Sequence, residues 1–162
     1  MKEVILLTGG NLGNRQENLA QAKLLIEQRC GNVIKSSSLF ETAPWGKTNQ
    51  PNFLNQVLIV ETGLHPIALL EAILGIETDM GRTRGVKNDA RTIDIDILYF
   101  GQEIHSEPFL SIPHPEIKNR RFVLVPLNEI APNFIDPVHQ QSVNQLLTSC
   151  TDMLEVHKFE HG

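Results

Sequence analysis

Apolar residues recur along this chain with two periods, and the alternation between the periods predicts its elements. Val4 to Thr8 is a short apolar run ending at Gly9 and Gly10, the signature of a buried strand. Asn14 is a good N-cap with Glu17 three residues on. Leu19, Ala22 and Ile26 then repeat at helical spacing up to Gly31, which predicts a helix over about 15–30. Val33 to Thr42 and Phe53 to Thr62 read as a second and third strand. The APWGKTNQPN stretch between them is too long for a tight hairpin and too polar for a core element. Pro66 suits the first turn of a helix, and Ile67, Leu70, Ile73 and Leu74 form an apolar stripe running toward Gly81. After the polar, basic GRTRGVKNDAR, residues Thr92 to Phe100 give the clearest strand. PHPEIKNRRFVLVPL then reads as a turn into a short helix, Val143 to Leu147 as another, and Glu155 to Phe159 as an edge strand. The order predicts an α+β fold over one domain, residues 1–162. It is a ferredoxin-like βαββαβ sandwich with helices on one face of an antiparallel sheet and a C-terminal helical and strand extension.

Composition narrows the function classes. No apolar run approaches the roughly 20 residues needed to cross a bilayer, so no membrane partner is expected. MKEVILLTGG carries only a short apolar run behind an acidic residue and reads as a strand, not a signal peptide, which predicts a cytoplasmic chain. A net charge of −5 argues against a general nucleic-acid binder. Cys30 and Cys150 fit no metal or redox spacing and read as reduced thiols. His157 and His161, four apart in a polar tail, read as tail residues. The basic charge is uneven: Arg82, Arg84, Lys87, Arg91, Lys118, Arg120 and Arg121 are seven of the fourteen Lys and Arg. A local basic cluster in an acidic chain points to a small anionic ligand.

The strand RTIDIDIL carries the sharpest chemical signal. Alternation sends Ile93, Ile95 and Ile97 to one face and Asp94 and Asp96 to the other. The isoleucines are core residues. Aspartate is depleted in strands, and two of them about 6.6 Å apart on one face repel. Such a pair either lies on a solvated face or converges on Mg²⁺, which prefers hard oxygen ligands. Glu77 stands where the helical stripe calls for an apolar residue, near a helix C-terminus that disfavours negative charge. It either pairs with an arginine as a boundary residue or belongs to a site. Arg82, Arg84 and Arg91 bracket the loop before the Asp pair. They are either a solvated basic loop or bidentate phosphate ligands. Carboxylates, a metal and several arginines are the recurring parts of phosphoryl-transfer sites. GGNLGN lacks the Lys and Ser/Thr of a P-loop and reads as a structural turn. Phe53 and Asn55 share a strand face and Phe122 follows Arg120 and Arg121. They read as core, or as a ring-stacking and amide set for a flat heterocycle.

Taken together, SSLFETAPWG, QPNFLN, GRTR, RTIDIDIL and PHPEIKNRRFVLVPL resemble the 6-hydroxymethyl-7,8-dihydropterin pyrophosphokinases of folate biosynthesis, most clearly over residues 4–135. The resemblance implies a monomeric enzyme with a ferredoxin-like αβα core. It implies transfer of the β,γ-pyrophosphate of ATP to the pterin hydroxymethyl group, with release of AMP. Two Mg²⁺ ions would bridge ATP and the residues matching the family's paired aspartates, Asp94 and Asp96. The family's pterin site matches Thr42, Ala43, Trp45, Phe53, Asn55, Asp94 and Phe122, with the two phenylalanines sandwiching the ring. Its ATP side matches Glu77, Arg82, Arg84, Arg91, Ile97, Ser111, His114 and Arg120, with Arg82 and Arg91 catalytic beside the Asp pair. Three positions depart from other members. Asn88-Asp89-Ala90 replace a Trp-Gly-Pro before Arg91, Pro115 replaces an aromatic, and Phe109 stands where others carry an arginine that reaches ATP. The alternative on the same sandwich is a non-catalytic effector- or RNA-binding module. An aromatic content of 6% and the acidic balance speak against an RNA-stacking sheet.

Overall fold

The computed structural model describes residues 1–43, 51–81 and 92–160. Strand β1 spans Lys2–Gly10 and helix α1 Arg15–Arg29; β2 spans Asn32–Ser36, β3 Phe40–Thr42 and β4 Phe53–Thr62. Helix α2 is Pro66–Asp79 and β5 is Asp94–Phe100. A small hairpin follows, β6 (His105–Glu107) and β7 (Leu110–Ile112). Next come a 3₁₀ turn at Ile117–Asn119, α3 (Arg121–Ile130), α4 (Val143–Ser149) and β8 (Val156–Lys158).

The main sheet runs β5-β1-β4-β3-β8, with β2 also on β4, and every pairing is antiparallel. The expected strand from Val33 to Thr42 is two strands. Ser37 breaks it: its amide donates to the Val57 carbonyl (2.8 Å) and its hydroxyl accepts from the Val57 amide (2.9 Å). Serine competes readily with ladder bonds through its own hydroxyl. The β6–β7 hairpin is an addition to the expected elements; its strands are three residues each, too short to show a period.

Alternation along β1 feeds two cores. Val4 and Leu6 pack with α1 and α2, joined by Leu54, Leu58 and the isoleucines of β5. Ile5 and Leu7 face the other way with Val57, Ile59 and Tyr99, against Val123, Leu124 and Leu127 of α3 and Val143 and Leu146 of α4. Helices therefore cover both faces of the sheet, which corrects the one-sided cover that the pattern predicted and agrees with the αβα layering that the resemblance implied. The C-terminal segment supplies the second layer: its two short helices were expected as an extension, and their buried residues Val123, Leu124, Leu127, Val143 and Leu146 pack on the sheet's other face. Helix α2 is also rotated from its expected phase. It buries Leu69, Ile73, Ile76 and Glu77, while Ile67 is exposed. So many residues of PIALLEAILGIE are apolar that several stripes are possible, and packing selects one. Among the described residues no helix is long and apolar enough to cross a membrane.

Candidate active site

Sheet register assembles the site. Gly9 of β1 lies opposite Asn55 of β4 on one side and opposite Asp94 of β5 on the other. Two residues back, Leu7 is opposite Val57 and Asp96. With side chains alternating, Asn55, Asp94 and Asp96 all project to the face that carries α3. There they line one pocket of about 120 Å³ with Leu7, Gly9, Thr42, Ala43, Phe53, Arg120 and Phe122.

One end of the pocket is apolar apart from the Asn55 amide. Phe53 starts β4 and lies opposite Thr42 of β3. Phe122 comes from the first turn of α3, and the Arg120 guanidinium carbon lies 5.6 Å from the centre of its ring, a cation–π spacing. Asn55 is buried, and its side-chain nitrogen donates to the Thr42 hydroxyl at 3.4 Å. Gly9 makes that position possible: a β-carbon there would collide with the Asn55 side-chain oxygen. Glycine inside a strand weakens it unless something must approach closely, and here the amide does.

The other end is charged. Asp94 and Asp96 are half-buried on β5, with Ile95 between them in the opposite core. Among the described residues no group of three or more His, Cys, Asp and Glu gathers as a metal cage. Two carboxylates at the rim of an open pocket suit Mg²⁺, which is usually held by one or two carboxylates together with substrate phosphates. Glu77 reaches the same strand from behind. It is 5% exposed, and its Oε2 accepts from the Ile95 amide at 2.8 Å. The inward placement read from the helical stripe is met by a backbone amide of β5, between Asp94 and Asp96. His114 follows the hairpin. Its amide donates to the Leu98 carbonyl (3.1 Å), and its Nδ1 accepts from the Glu116 amide (3.1 Å), which makes Nε2 the donor of the neutral ring. Burial, then the positive Arg120, hold His114 below its ordinary value, against the opposing pull of Glu116 and Asp94.

Of the residues singled out from sequence, Thr42, Ala43, Phe53, Asn55, Asp94, Asp96, Arg120 and Phe122 meet in this pocket. Glu77 lies behind it. The Ile97 side chain is core on the α1–α2 face, and Ser111 is exposed on the hairpin. Trp45, Arg82, Arg84 and Arg91 fall outside the described residues. Leu7 and Gly9 are additions. The turn read from GGNLGN is corrected, since its first two glycines are the last residues of β1, and the sequence did not mark Gly9 as a pocket residue.

The sequence profile of the family described as 7,8-dihydro-6-hydroxymethylpterin-pyrophosphokinase (HPPK) matches residues 5–132. A 2-amino-4-hydroxy-6-hydroxymethyldihydropteridine pyrophosphokinase of Bacillus subtilis is 44% identical over 123 residues, covering 75% of this chain and 74% of its own length. Its counterpart in Haemophilus influenzae is 37% identical over 145 residues, covering 89% and 90%. The mitochondrial folate synthesis bifunctional protein of Pisum sativum is 39% identical over 135 residues, covering 83% of this chain. The chain spans only 26% of that relative's length. Among solved structures, Plasmodium falciparum HPPK-DHPS with pterin and p-hydroxybenzoate superposes with a TM-score of 0.72 at 19% identity. The match covers 91% of this chain and 41% of that one, and shows the same mixed α/β fold. This chain belongs to the 7,8-dihydro-6-hydroxymethylpterin-pyrophosphokinase family.

Proposed function

We propose that this chain transfers the β,γ-pyrophosphate of ATP to the hydroxymethyl oxygen of 6-hydroxymethyl-7,8-dihydropterin, giving the pterin diphosphate and AMP, as a step of folate synthesis. One observation carries the proposal: two strand aspartates, two aromatic rings and a buried amide converge on one pocket. Each set matches one half of that reaction, and membership of the family supports joining them.

On this reading Phe53 and Phe122 sandwich the pterin, and the Asn55 amide, oriented by Thr42, hydrogen-bonds its donor–acceptor edge. Thr42, Ala43 and Trp45 complete that side. ATP lies toward Arg82, Arg84, Arg91, Ser111, His114 and Arg120; Ile97 meets it only through its backbone, since its side chain is core, and Glu77 acts from behind through the Ile95 amide. Asp94 and Asp96 would hold the family's two Mg²⁺ ions. When bound, Mg²⁺ neutralises phosphate charge and makes the acceptor hydroxyl a better nucleophile. The pterin oxygen attacks the β-phosphorus in line, its proton leaves, and the bond from that phosphorus to the α-phosphate oxygen breaks. Arg82 and Arg91 stabilise charge on the transferring group and on AMP. His114, neutral at physiological pH, offers an Nε2 proton to the nucleotide.

We read the chain as one ferredoxin-like βαββαβ domain over 1–162, acting as a monomer in the cytoplasm without nucleic-acid or membrane partners. The sheet order β5-β1-β4-β3, with β2 also on β4 and α1 and α2 on one face, supports that wiring. Asp96→Ala tests the chemistry. It removes a carboxylate from a strand already anchored by its isoleucines, so folding persists and pterin-dependent AMP release falls by about two to three orders of magnitude. A variant releasing AMP at the wild-type rate overturns the assignment, and a wild type that releases none favours the non-catalytic module.

A further inference from the structure

We infer that Arg15, on the reverse face of the sheet, is a positioning residue for the pterin end of the pocket, joining the end of β3 to the start of β4. The inference rests on the pterin reading of that pocket.

The two strands meet where the pocket is built. Thr42 is opposite Phe53, and Glu41 is opposite Leu54. Alternation puts Thr42 and Phe53 on the pocket face and Glu41 and the core residue Leu54 on the face of α1. Arg15 is the first residue of α1. One of its terminal nitrogens, Nη1, is 2.6 Å from the Glu41 carboxylate and 2.9 Å from the Asn52 carbonyl oxygen. A single guanidinium nitrogen thus ties a β3 side chain to the residue preceding Phe53. The neighbouring carbonyl is held as well: the buried Asn11 donates from its side-chain nitrogen to the Pro51 oxygen at 3.1 Å. Successive carbonyls leading into β4 are therefore fixed from the β1–α1 connection.

A third contact comes from the far end of the chain. The Arg15 guanidinium carbon lies 5.6 Å from the centre of the Phe159 ring. Phe159 is itself set by its amide, which donates to the Leu39 carbonyl at 2.8 Å, just after β8 pairs with β3. Phe159 lies beyond residues 5–132, the part matched by the family profile. The Arg15 side chain is 23% exposed and that of Glu41 31%, so the pair is only partly screened. Charge-assisted hydrogen bonds of this kind are about twice as strong as neutral ones. Without them, the spacing of Thr42 and Ala43 from Phe53 and Asn55 rests on a ladder of three residue pairs at the strand's end and the long 3.4 Å hydrogen bond from Asn55 to Thr42.

Binding separates this role from mere stabilisation. The unreactive probe 6-hydroxymethylpterin is titrated by fluorescence with Mg²⁺ and a non-hydrolysable ATP analogue present, and the analogue is titrated on its own. Arg15→Ala is expected to weaken pterin binding about tenfold, on the scale of one lost charge-assisted contact, while analogue affinity changes by less than about twofold. Arg15→Lys recovers part of the loss because it keeps a cation against Glu41. Phe159→Ala shows a smaller loss in the same direction. Glu41→Gln provides the same test should Arg15→Ala fold poorly. Unchanged pterin affinity in Arg15→Ala, or equal losses for both ligands, overturns the inference alone. A wild type that binds no pterin overturns the pocket reading and the inference with it.

Discussion

Single residues in this pocket answer to chemistry that the strand pattern only outlines. Asp94 and Asp96 were legible because aspartate is out of place in a strand whose remaining positions are all apolar or aromatic. Gly9 was not, because a glycine at the end of an apolar run reads as a stop. Its reason lies across the sheet, where the Asn55 side-chain oxygen occupies the space of a missing β-carbon. Gly9→Ala therefore displaces a side chain, not the backbone, and the fold survives. The Asn55 amide loses its place beside Thr42, and KM for the pterin rises about tenfold, as expected for one hydrogen bond at a binding site, with KM for ATP little changed. Equal pterin KM values for Gly9→Ala and wild type would show that Asn55 does not read the ring.

At the scale of elements, the informative pair is α2 and β5. The helix brings a carboxylate to a strand edge, and the bond from the Ile95 amide to Glu77 holds the residue lying between the two aspartates. A misfit carboxylate in the apolar stripe could be read from sequence. Its backbone partner could not, since it depends on the crossing of two elements that brings together residues 18 apart in sequence. The phase of α2 was misread for a related reason: with Ile67, Leu69, Leu70, Ile73, Leu74 and Ile76 all apolar, only packing decides which face is inside. Glu77→Ala removes the acceptor and leaves a buried amide without it, which costs about 1–3 kcal/mol of stability. Glu77→Gln keeps an oxygen acceptor and loses less. Turnover should follow the same ranking in urea-free assays at 25 °C if the bond positions Asp94 and Asp96. A Gln variant as destabilised as the Ala variant would mean that the amide contact contributes little.

The whole molecule is a sheet used on both faces, and that was only half legible. The strand–helix–strand order and the boundaries of α1 and β4 follow from period, caps and punctuation. The two short C-terminal helices were also read from the sequence, but the pattern placed them in an extension, and only packing puts α3 and α4 on the second face of the sheet. Yet β1 and β4 place alternate residues in both cores, Val4, Leu6, Leu54 and Leu58 in one and Ile5, Leu7, Val57 and Ile59 in the other. Neither core can open without exposing the back of the strands that build the other, which predicts one cooperative transition. Tyr99 offers a local reporter. It is the chain's single tyrosine, buried in the α3–α4 core, with its hydroxyl donating to Asp136 at 2.6 Å. Leu127→Ala cuts that core and Ile73→Ala the opposite one; each is expected to cost about 2–5 kcal/mol. Under one-domain behaviour, near-ultraviolet and far-ultraviolet circular dichroism melt at the same denaturant concentration in both variants. If the near-ultraviolet signal of Leu127→Ala melts first, α3 and α4 form a separate unit, and the Phe122 side of the pocket is carried by a layer that can detach from the Asp94–Asp96 side.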